Sequence, residues 1–347
     1  MQVDYDLVIV GSGIIGAHSF YQASQLNPRW KIAILDKNLK GGGVSFFSAG
    51  VDVPIGRSIL HRQLTDQSRL IYKNYKDKWN NFPINPIDTL WVVPRSKVLE
   101  FKKNVSNTIF NDGSQWELSG LNSNLTLSAA DHLFCQQGNH FGNVMGVINF
   151  LITATMANTS NRVLEGFNVL TIKRNKEAYC IYSKSDYRIN ANRVIVTLGP
   201  WLNNVMPGGW KQKLKKIVSL HIDAQPTKDD KLIFFYETGN FLLPLYEQGY
   251  WLLSITSWEW GGDLHQKHLD ITNDEIELGK MFLKKYIPTF ASKVMGGRVF
   301  CDGYTHNRIP IVTKHPMMND VILVYGASGS GYRLAPGLAE QALRFYE

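Results

Sequence analysis

Cysteine is scarce in this chain: Cys135, Cys180 and Cys301 are the only three among 347 residues. An odd number at long spacings excludes a disulfide framework, gives no zinc-binding pattern, and fits a reducing compartment, so a cytoplasmic location is expected. Long apolar runs are also missing. Each breaks well before the eighteen or so residues a membrane-spanning helix needs, and no transmembrane segment is expected. The first residues lack a basic segment, an apolar stretch and a cleavage site, so no signal peptide is expected either. Charged residues are only 19% of the chain, with a scattered balance of +8 and no nucleic-acid motif, which argues against a nucleic-acid partner. The densest basic cluster, Lys211 to Lys216 with Trp210 and Leu214 in the same segment, reads as a solvated face; a peripheral membrane or acidic-partner contact is the alternative. What remains is a 44% hydrophobic chain long enough for two domains, each with its own core.

The most informative stretch is the first forty residues. Tyr5 to Val10 reads as a buried strand running into Gly11-Ser12-Gly13-Ile14-Ile15-Gly16, followed by a helix to about Leu26 and a second apolar run, Ile32 to Leu35, closing on Asp36. This G-x-G-x-x-G opening of a βαβ unit is a dinucleotide fingerprint. Gly11 makes the tight turn, Gly13 lets backbone approach a pyrophosphate, and Gly16 lets helix pack on strand. The helix N-terminus offers N–H groups and the positive end of its dipole to the phosphates. Asp36 stands where a carboxylate accepts from both ribose hydroxyls and repels a 2′-phosphate, which argues against NADP. The motif does not decide between NAD and FAD.

Further along, Lys40 to Gly50 is a second loop of glycines and small residues, suited to close approach of a phosphate or a flavin. Residues 57 to 80 read as a helix, Thr89 to Val93 as a strand, Ser96 to Lys103 as a helix, and 104 to 127 as loop with short strands. Gly142 to Asn158 is helical in spacing. Strands follow at Phe167 to Ile172, Tyr179 to Ser183 and Arg193 to Leu198, the last apolar throughout and so expected in a sheet covered on both faces. The aromatic-rich runs Leu232 to Tyr236, Asn240 to Leu245 and Tyr250 to Ser257 read as an antiparallel sheet. A helix is expected at Thr272 to Tyr286, capped by Asn273. The strand Val321 to Tyr325 then meets a second glycine turn, Gly326-Ala327-Ser328-Gly329-Ser330-Gly331, which feeds a helix from about Ala335. Glycine turns after buried strands at both ends of the chain favour FAD, the longer dinucleotide, whose ring end residues distant in sequence can reach. A helix N-terminus there suits the flavin edge that gains negative charge on reduction.

Other chemistries fit poorly. Gly326-Ala327-Ser328-Gly329-Ser330 fails the serine-hydrolase pattern at its last position. His265 and His268, near Asp263, lack a third basic ligand, so no metal is expected.

At these residues the chain resembles the D-amino-acid oxidase superfamily of FAD enzymes, and more closely its glycine oxidase and monomeric sarcosine oxidase branch. The resemblance runs through Val8 to Asp36, Gly42 to Gly50, Val194 to Trp201 and, most specifically, Gly297 to Pro336. It implies an α/β fold with an α+β second domain: a Rossmann-like FAD-binding domain from 1–50, 136–204 and 296–347, and a substrate domain with a mainly antiparallel sheet from 51–135 and 205–295. On the cofactor it places Gly11, Gly13, Ile14, Ile15, Gly16, Asp36 and Lys37; Gly43, Ser45, Ser48, Ala49 and Gly50; Val169, Leu198, Gly199 and Trp201; Cys301; and Ser328, Gly329, Ser330, Gly331, Tyr332 and Arg333.

The implied reaction is oxidation of an amine next to a carboxylate, by hydride transfer to flavin N5 giving an imine, with O2 reduced to H2O2. The substrate is then a small-molecule amine or amino acid. The alternative is a flavin dehydrogenase or desaturase on a bulkier or partner-tethered amine, passing electrons to another acceptor. Arg333 takes the place of the lysine that holds substrate carboxylate in sarcosine oxidase, and Arg57 is the nearest second cation. Tyr246 and Tyr304 are candidate hydroxyl donors, and Trp251, Trp258 and Trp260 candidate walls of an apolar pocket. Cys301 falls within one residue of the cysteine that carries the flavin covalently in sarcosine oxidase; a buried thiol is the other reading. Two departures stand out. The substrate-binding arginines of glycine oxidase have no match at Asp302, Gly303 or Gly329, and Leu252 replaces the lysine with which sarcosine oxidases help flavin react with oxygen.

Overall fold

The structure, a computed structural model, describes residues 3–56, 58–105, 111–112, 120–175, 177–261 and 269–347. The apolar runs near the N-terminus and at Val194 become the centre of one sheet. Its strands are β1 (Tyr5–Val10), β2 (Ile32–Leu35), β7 (Arg162–Leu164), β8 (Val169–Arg174), β9 (Tyr179–Ser183), β10 (Arg188–Val196), β16 (Ile311–His315) and β17 (Met318–Tyr325). The order is β16-β17-β10-β1-β2-β7, parallel from β17 to β7, with β9 and β8 added antiparallel beside the first half of β10. Alternate residues of β1 serve the two faces. Leu7 and Ile9 pack under the helices α1 (Ile14–Leu26), α4 (Val144–Met156) and α8 (Gly331–Leu343). Val8 and Val10 pack with Ile172, Ile181 and Leu202, the last from the short α5 (Leu202–Val205). Strand order reverses between β1 and β10, the switch point at which such sheets hold ligands beyond their carboxyl ends.

A second sheet contains β3 (Val51–Asp52), β4 (Ile84–Pro94), β5 (Asn111–Asp112), β6 (Asp131–Gly142), β11 (Lys213–Ile222), β12 (Leu232–Phe235), β13 (Phe241–Leu245), β14 (Tyr250–Ile255) and β15 (Val294–Tyr304). Its order is β15-β11-β14-β13-β12-β4-β6-β3, antiparallel except for β12 on β4. The helices α6 (Asn273–Tyr286) and α7 (Pro288–Ala291) cover one face, where Leu283 and Phe290 join Leu220 and Leu253. On the other face α3 (Val98–Asn104) brings Phe101 onto Trp91. The remaining helix, α2 (Ile59–Lys78), lies on α8 and adds Leu64 and Tyr72 to the core of the first sheet.

Four expectations change. β6 continues to Gly142 and β15 to Tyr304 as members of the second sheet, so the sheets divide near 142 and 305 rather than at 135 and 295. Asn273 is not the cap of α6: Thr272 is, its hydroxyl accepting from Glu275 N while the Glu275 carboxylate accepts from Thr272 N. α8 starts at Gly331 and not Ala335, with Pro336 inside it. The missing Pro336 N–H would orphan the Tyr332 carbonyl, but the Tyr72 hydroxyl donates to that oxygen at 2.8 Å. The Lys211 to Lys216 segment is a solvated face only at Lys211 and Lys213, which are exposed. It enters β11, where Lys215 and Lys216 are 5% and 4% exposed, and Lys216 Nζ lies 3.1 Å from Glu275 and 3.3 Å from Glu259. No helix among the described residues is long and apolar enough to cross a membrane. No group of His, Cys, Asp and Glu among them is arranged to hold a metal ion; Asp263, His265 and His268 lie outside the described residues.

Candidate active site

A cavity of about 860 Å3 opens where the carboxyl ends of the first sheet meet the second. Its nucleotide side is built from β1 outward. Gly11 sits at φ +104°, and a Cβ there would lie 2.5 Å from the Thr197 carbonyl oxygen; on Gly16 it would lie 1.9 Å from Gly11 O. Those contacts bring the first turn of α1 hard against the sheet. Gly13 precedes α1 with no side-chain cap, and Ser45 Oγ accepts the Ile14 N–H at 3.0 Å. Gly13, Ile14, Ile15 and Ser45 line the cavity, as do Ser48, Ala49 and Gly50.

Asp36 follows β2 directly, and its carboxylate is already engaged by backbone. Its carboxylate accepts from Ser12 N and Ser12 Oγ, both at 2.8 Å, and from Asn38 N at 2.9 Å. Two of its roughly four acceptor sites thus hold the glycine turn and a third its own turn. Gly43, Lys37 and Trp201 form a packed group beside the cavity, with Lys37 Nζ 4.1 Å above the Trp201 ring and Gly43 against its edge. Val169 is buried in the core of the first sheet, and Leu198 turns the chain into Gly199, which reaches the wall at φ +53°.

The C-terminal turn supplies the opposite wall. Gly326, Ser328 and Gly329 all have positive φ, and Asp302 holds the bend by accepting from Gly329 N at 2.8 Å and Gly303 N at 2.7 Å. Burial pushes the Asp302 carboxyl above its ordinary range. The Tyr304 hydroxyl lies under Gly329. Gly331 opens α8, again without a side-chain cap. Tyr332, also on the wall, stacks its ring on Tyr72, 5.1 Å between centroids. Arg333, 8% exposed, remains on the wall: it donates to Val53 O at 3.0 Å and Ser330 Oγ at 2.8 Å, and meets His61 Nε2 at 3.4 Å.

Other expected residues are not brought there. Cys301 is buried and does not line the cavity. Side chains alternate along β15, so Phe300, Asp302 and Tyr304 face the cavity while Cys301 shares the other face with its partner Lys216. A one-residue offset in the resemblance is therefore a change of face. Tyr246, just past β13, packs near Phe141 and is off the wall. Trp251 is fully buried against Phe290 and Trp260 packs edge-on to Tyr304, both off the wall, whereas Trp258, 80% exposed, does line the cavity as expected. Arg57 lies outside the described residues.

Three wall residues escaped the sequence reading. Lys215 is on the cavity face of β11, with Nζ 5.3 Å from the Trp260 ring centre and 5.4 Å from that of Tyr304. Its signal was the period-two pattern of Lys215, Ile217 and Ser219, hidden inside a basic run. Gln212 donates to Gly199 O at 3.1 Å and accepts from Gly326 N at 3.1 Å, joining the two turns. His61 comes from α2, and like Gln212 it carried no local pattern.

The cavity's chemistry fits a dinucleotide with a flavin. Two helix N-termini whose own N-cap residues supply no side-chain bond, those of α1 and α8, border one space, and a Cβ on Gly13 would approach Ser45 Oγ to 3.0 Å and narrow the phosphate approach. Solved structures share the whole architecture. A glycine oxidase from Geobacillus kaustophilus is 16% identical, covers 97% of this chain and 92% of its own, and superposes with a TM-score of 0.80. For an L-proline dehydrogenase from P. horikoshii the figures are 14%, 100%, 94% and 0.83. For an L-α-glycerophosphate oxidase from Mycoplasma pneumoniae, solved with FAD bound, they are 17%, 99%, 95% and 0.81. No curated protein sequence matches the chain. The FAD dependent oxidoreductase family, DAO, matches over residues 6–343. Because that match takes in the N-terminal fingerprint, both sheets and the second glycine turn together, the chain belongs to this family and its cofactor is FAD.

Proposed function

We propose that the protein oxidises the C–N bond of an amino acid, or of a secondary or N-substituted amine, that carries a carboxylate. When bound, FAD supplies the hydride acceptor at N5, with O2 as the final acceptor and H2O2 as its product. The observation that carries this reading is the place of Arg333, a buried guanidinium on the cavity wall in the first turn of α8. Val53 O and Ser330 Oγ fix its orientation. Its permanent positive charge suits a substrate carboxylate, held by a charge-assisted hydrogen bond. Gly13, Ile14 and Ser45 would hold the pyrophosphate, and the α8 N-terminus the pyrimidine edge of the ring. Ile217 and Phe300 line the wall with apolar surface that keeps water from the reacting carbon. The turned-away Cys301 supports a non-covalent flavin.

The test is anaerobic bleaching of the purified yellow protein by a set of amino acids and N-alkyl amino acids, followed by peroxide measurement in air. Bleaching by at least one of them, with KM raised about 100-fold or more in Arg333→Met, is expected. An Arg333→Met enzyme with unaltered KM would sink the assignment. Leu252 favours a second reading, because it is fully buried on β14 where sarcosine oxidases carry a lysine. Bleaching without peroxide in air would make the protein a dehydrogenase or desaturase with another acceptor.

A further inference from the structure

The floor of the cavity is wider than a small amino acid needs. Wall residues come from β15, β11, β14, β13 and β12, five consecutive strands. Four spacings of about 4.8 Å make roughly 19 Å, shared by the flavin ring and a reacting end, carboxylate, one carbon and amine, that spans less than one spacing. At the β12 and β13 end the floor changes character. Phe234 and Phe241 lie on adjacent strands as a stacked pair, centroids 5.8 Å apart and planes 18° apart, half-buried and open to the cavity. The fully buried Trp91 backs Phe234 at 4.8 Å. The hairpin carrying both rings is tied to the chain after β14, since Thr256 Oγ1 donates to Thr238 O and Thr256 N donates to Asn240 Oδ1. The rings are thus held in place before any ligand arrives.

The rim around this floor is polar and already paired. Glu100 of α3 accepts from the Tyr236 hydroxyl at 2.8 Å, and Glu237 meets Lys97 Nζ at 3.3 Å. A flat apolar floor inside a polar rim whose charges have partners recognises a neutral, flat, apolar group rather than a cation. We propose that the Phe234–Phe241 floor is a subsite for an aryl or similarly flat apolar arm carried by the substrate. The proposal rests on the amine-oxidation reading for the identity of the substrate, but the subsite itself is readable without turnover.

The holoenzyme is titrated with acetate and with phenylacetate and 4-phenylbutyrate, carboxylates that have no amine to oxidise, following the change in flavin absorbance. At least one aryl acid binding about tenfold or more tightly than acetate is expected, with Phe234→Leu and Phe241→Leu each lowering that ratio severalfold. Equal affinities for all three acids, or a preference that both variants retain, overturns the subsite. Flavin bleaching by amino acids with no aryl preference in the titration means that the subsite fails and the reaction stands. An aryl preference that depends on Phe234, with no bleaching by any amine, means that the subsite stands and the reaction fails.

Discussion

Gly16 and Gly331 both belong to glycine turns at the cavity, yet an added methyl group should act oppositely at the two. On Gly16 the new Cβ would lie 1.9 Å from Gly11 O, 2.9 Å from Thr197 Oγ1 and 3.0 Å from Gly11 C, two of them backbone atoms of a turn pinned to β2 and β10. Relief to even 3.0 Å requires α1 to back off by about 1 Å, in a core where packing transmits such shifts. On Gly331 the nearest heavy atom is Ala327 Cβ at 3.7 Å, an ordinary contact, and its φ is not positive. Overpacking of the Gly16 kind is worth about 3 kcal/mol, somewhat offset by the roughly 1 kcal/mol that alanine gains over glycine in a helix. Urea unfolding of flavin-stripped protein is the assay, because no cofactor contact enters it. Gly16→Ala should lose about 2 kcal/mol or more, and Gly331→Ala should stay within about 1 kcal/mol of the parent. In the reconstituted protein the displaced helix N-terminus should weaken FAD binding about tenfold or more, read by flavin fluorescence titration. A Gly16→Ala protein with the parent's stability and FAD affinity, or equal losses at the two sites, would refute the reasoning.

Other consequences are as directly measurable. His18 is buried neutral between Tyr72 and Tyr75, and burial pushes its pKa down from 6.5 to about 3. The unfolded chain therefore binds that proton more tightly, and stability present above pH 6.5 is lost as pH falls toward 3. From pH 7 to 4.5 the protein should lose roughly 2–3 kcal/mol more than His18→Phe does, as urea unfolding at the two pH values reads. Acid precipitation should release all the yellow colour into the supernatant from both the parent and Cys301→Ser; colour kept in the parent's pellet but not the variant's would place the thiol on the flavin. Thr272→Ala should cost about 1 kcal/mol through loss of the α6 capping box, and Asn273→Ala close to nothing, in thermal or urea unfolding.

Much of the nucleotide half was legible because it is local. A buried run, three glycines at fixed spacing and a second buried run specify β1, α1 and β2 with little help from elsewhere, and Arg333 could be found because it follows the second glycine turn. What escaped was set by distant partners or by a shift of one residue. Lys216 reads as a surface residue until Glu259 and Glu275 are brought to it. Pro336 reads as a helix start until Tyr72, from another helix, occupies the carbonyl that the proline leaves unpaired. At Cys301 a single step in register exchanges the two faces of β15, which no pattern of residue types could reveal. Asp36 stands at the expected place, and what the sequence did not show is that its carboxylate also accepts from Ser12 in the glycine turn, 24 residues earlier, and from Asn38 in its own turn.

Gln212 gives the two ends of the cofactor site a common fate. Its amide donates to Gly199 O and accepts from Gly326 N, so opening either turn breaks a bond to the one side chain that also holds the other, although one follows β10 and the other β17. Opening is then a sub-global event shared by both segments rather than two independent fluctuations. The Gly326 amide, whose N–H ends in that side chain, becomes a built-in reporter: its hydrogen exchange follows the opening that lets the dinucleotide escape, and slows as the cofactor is held.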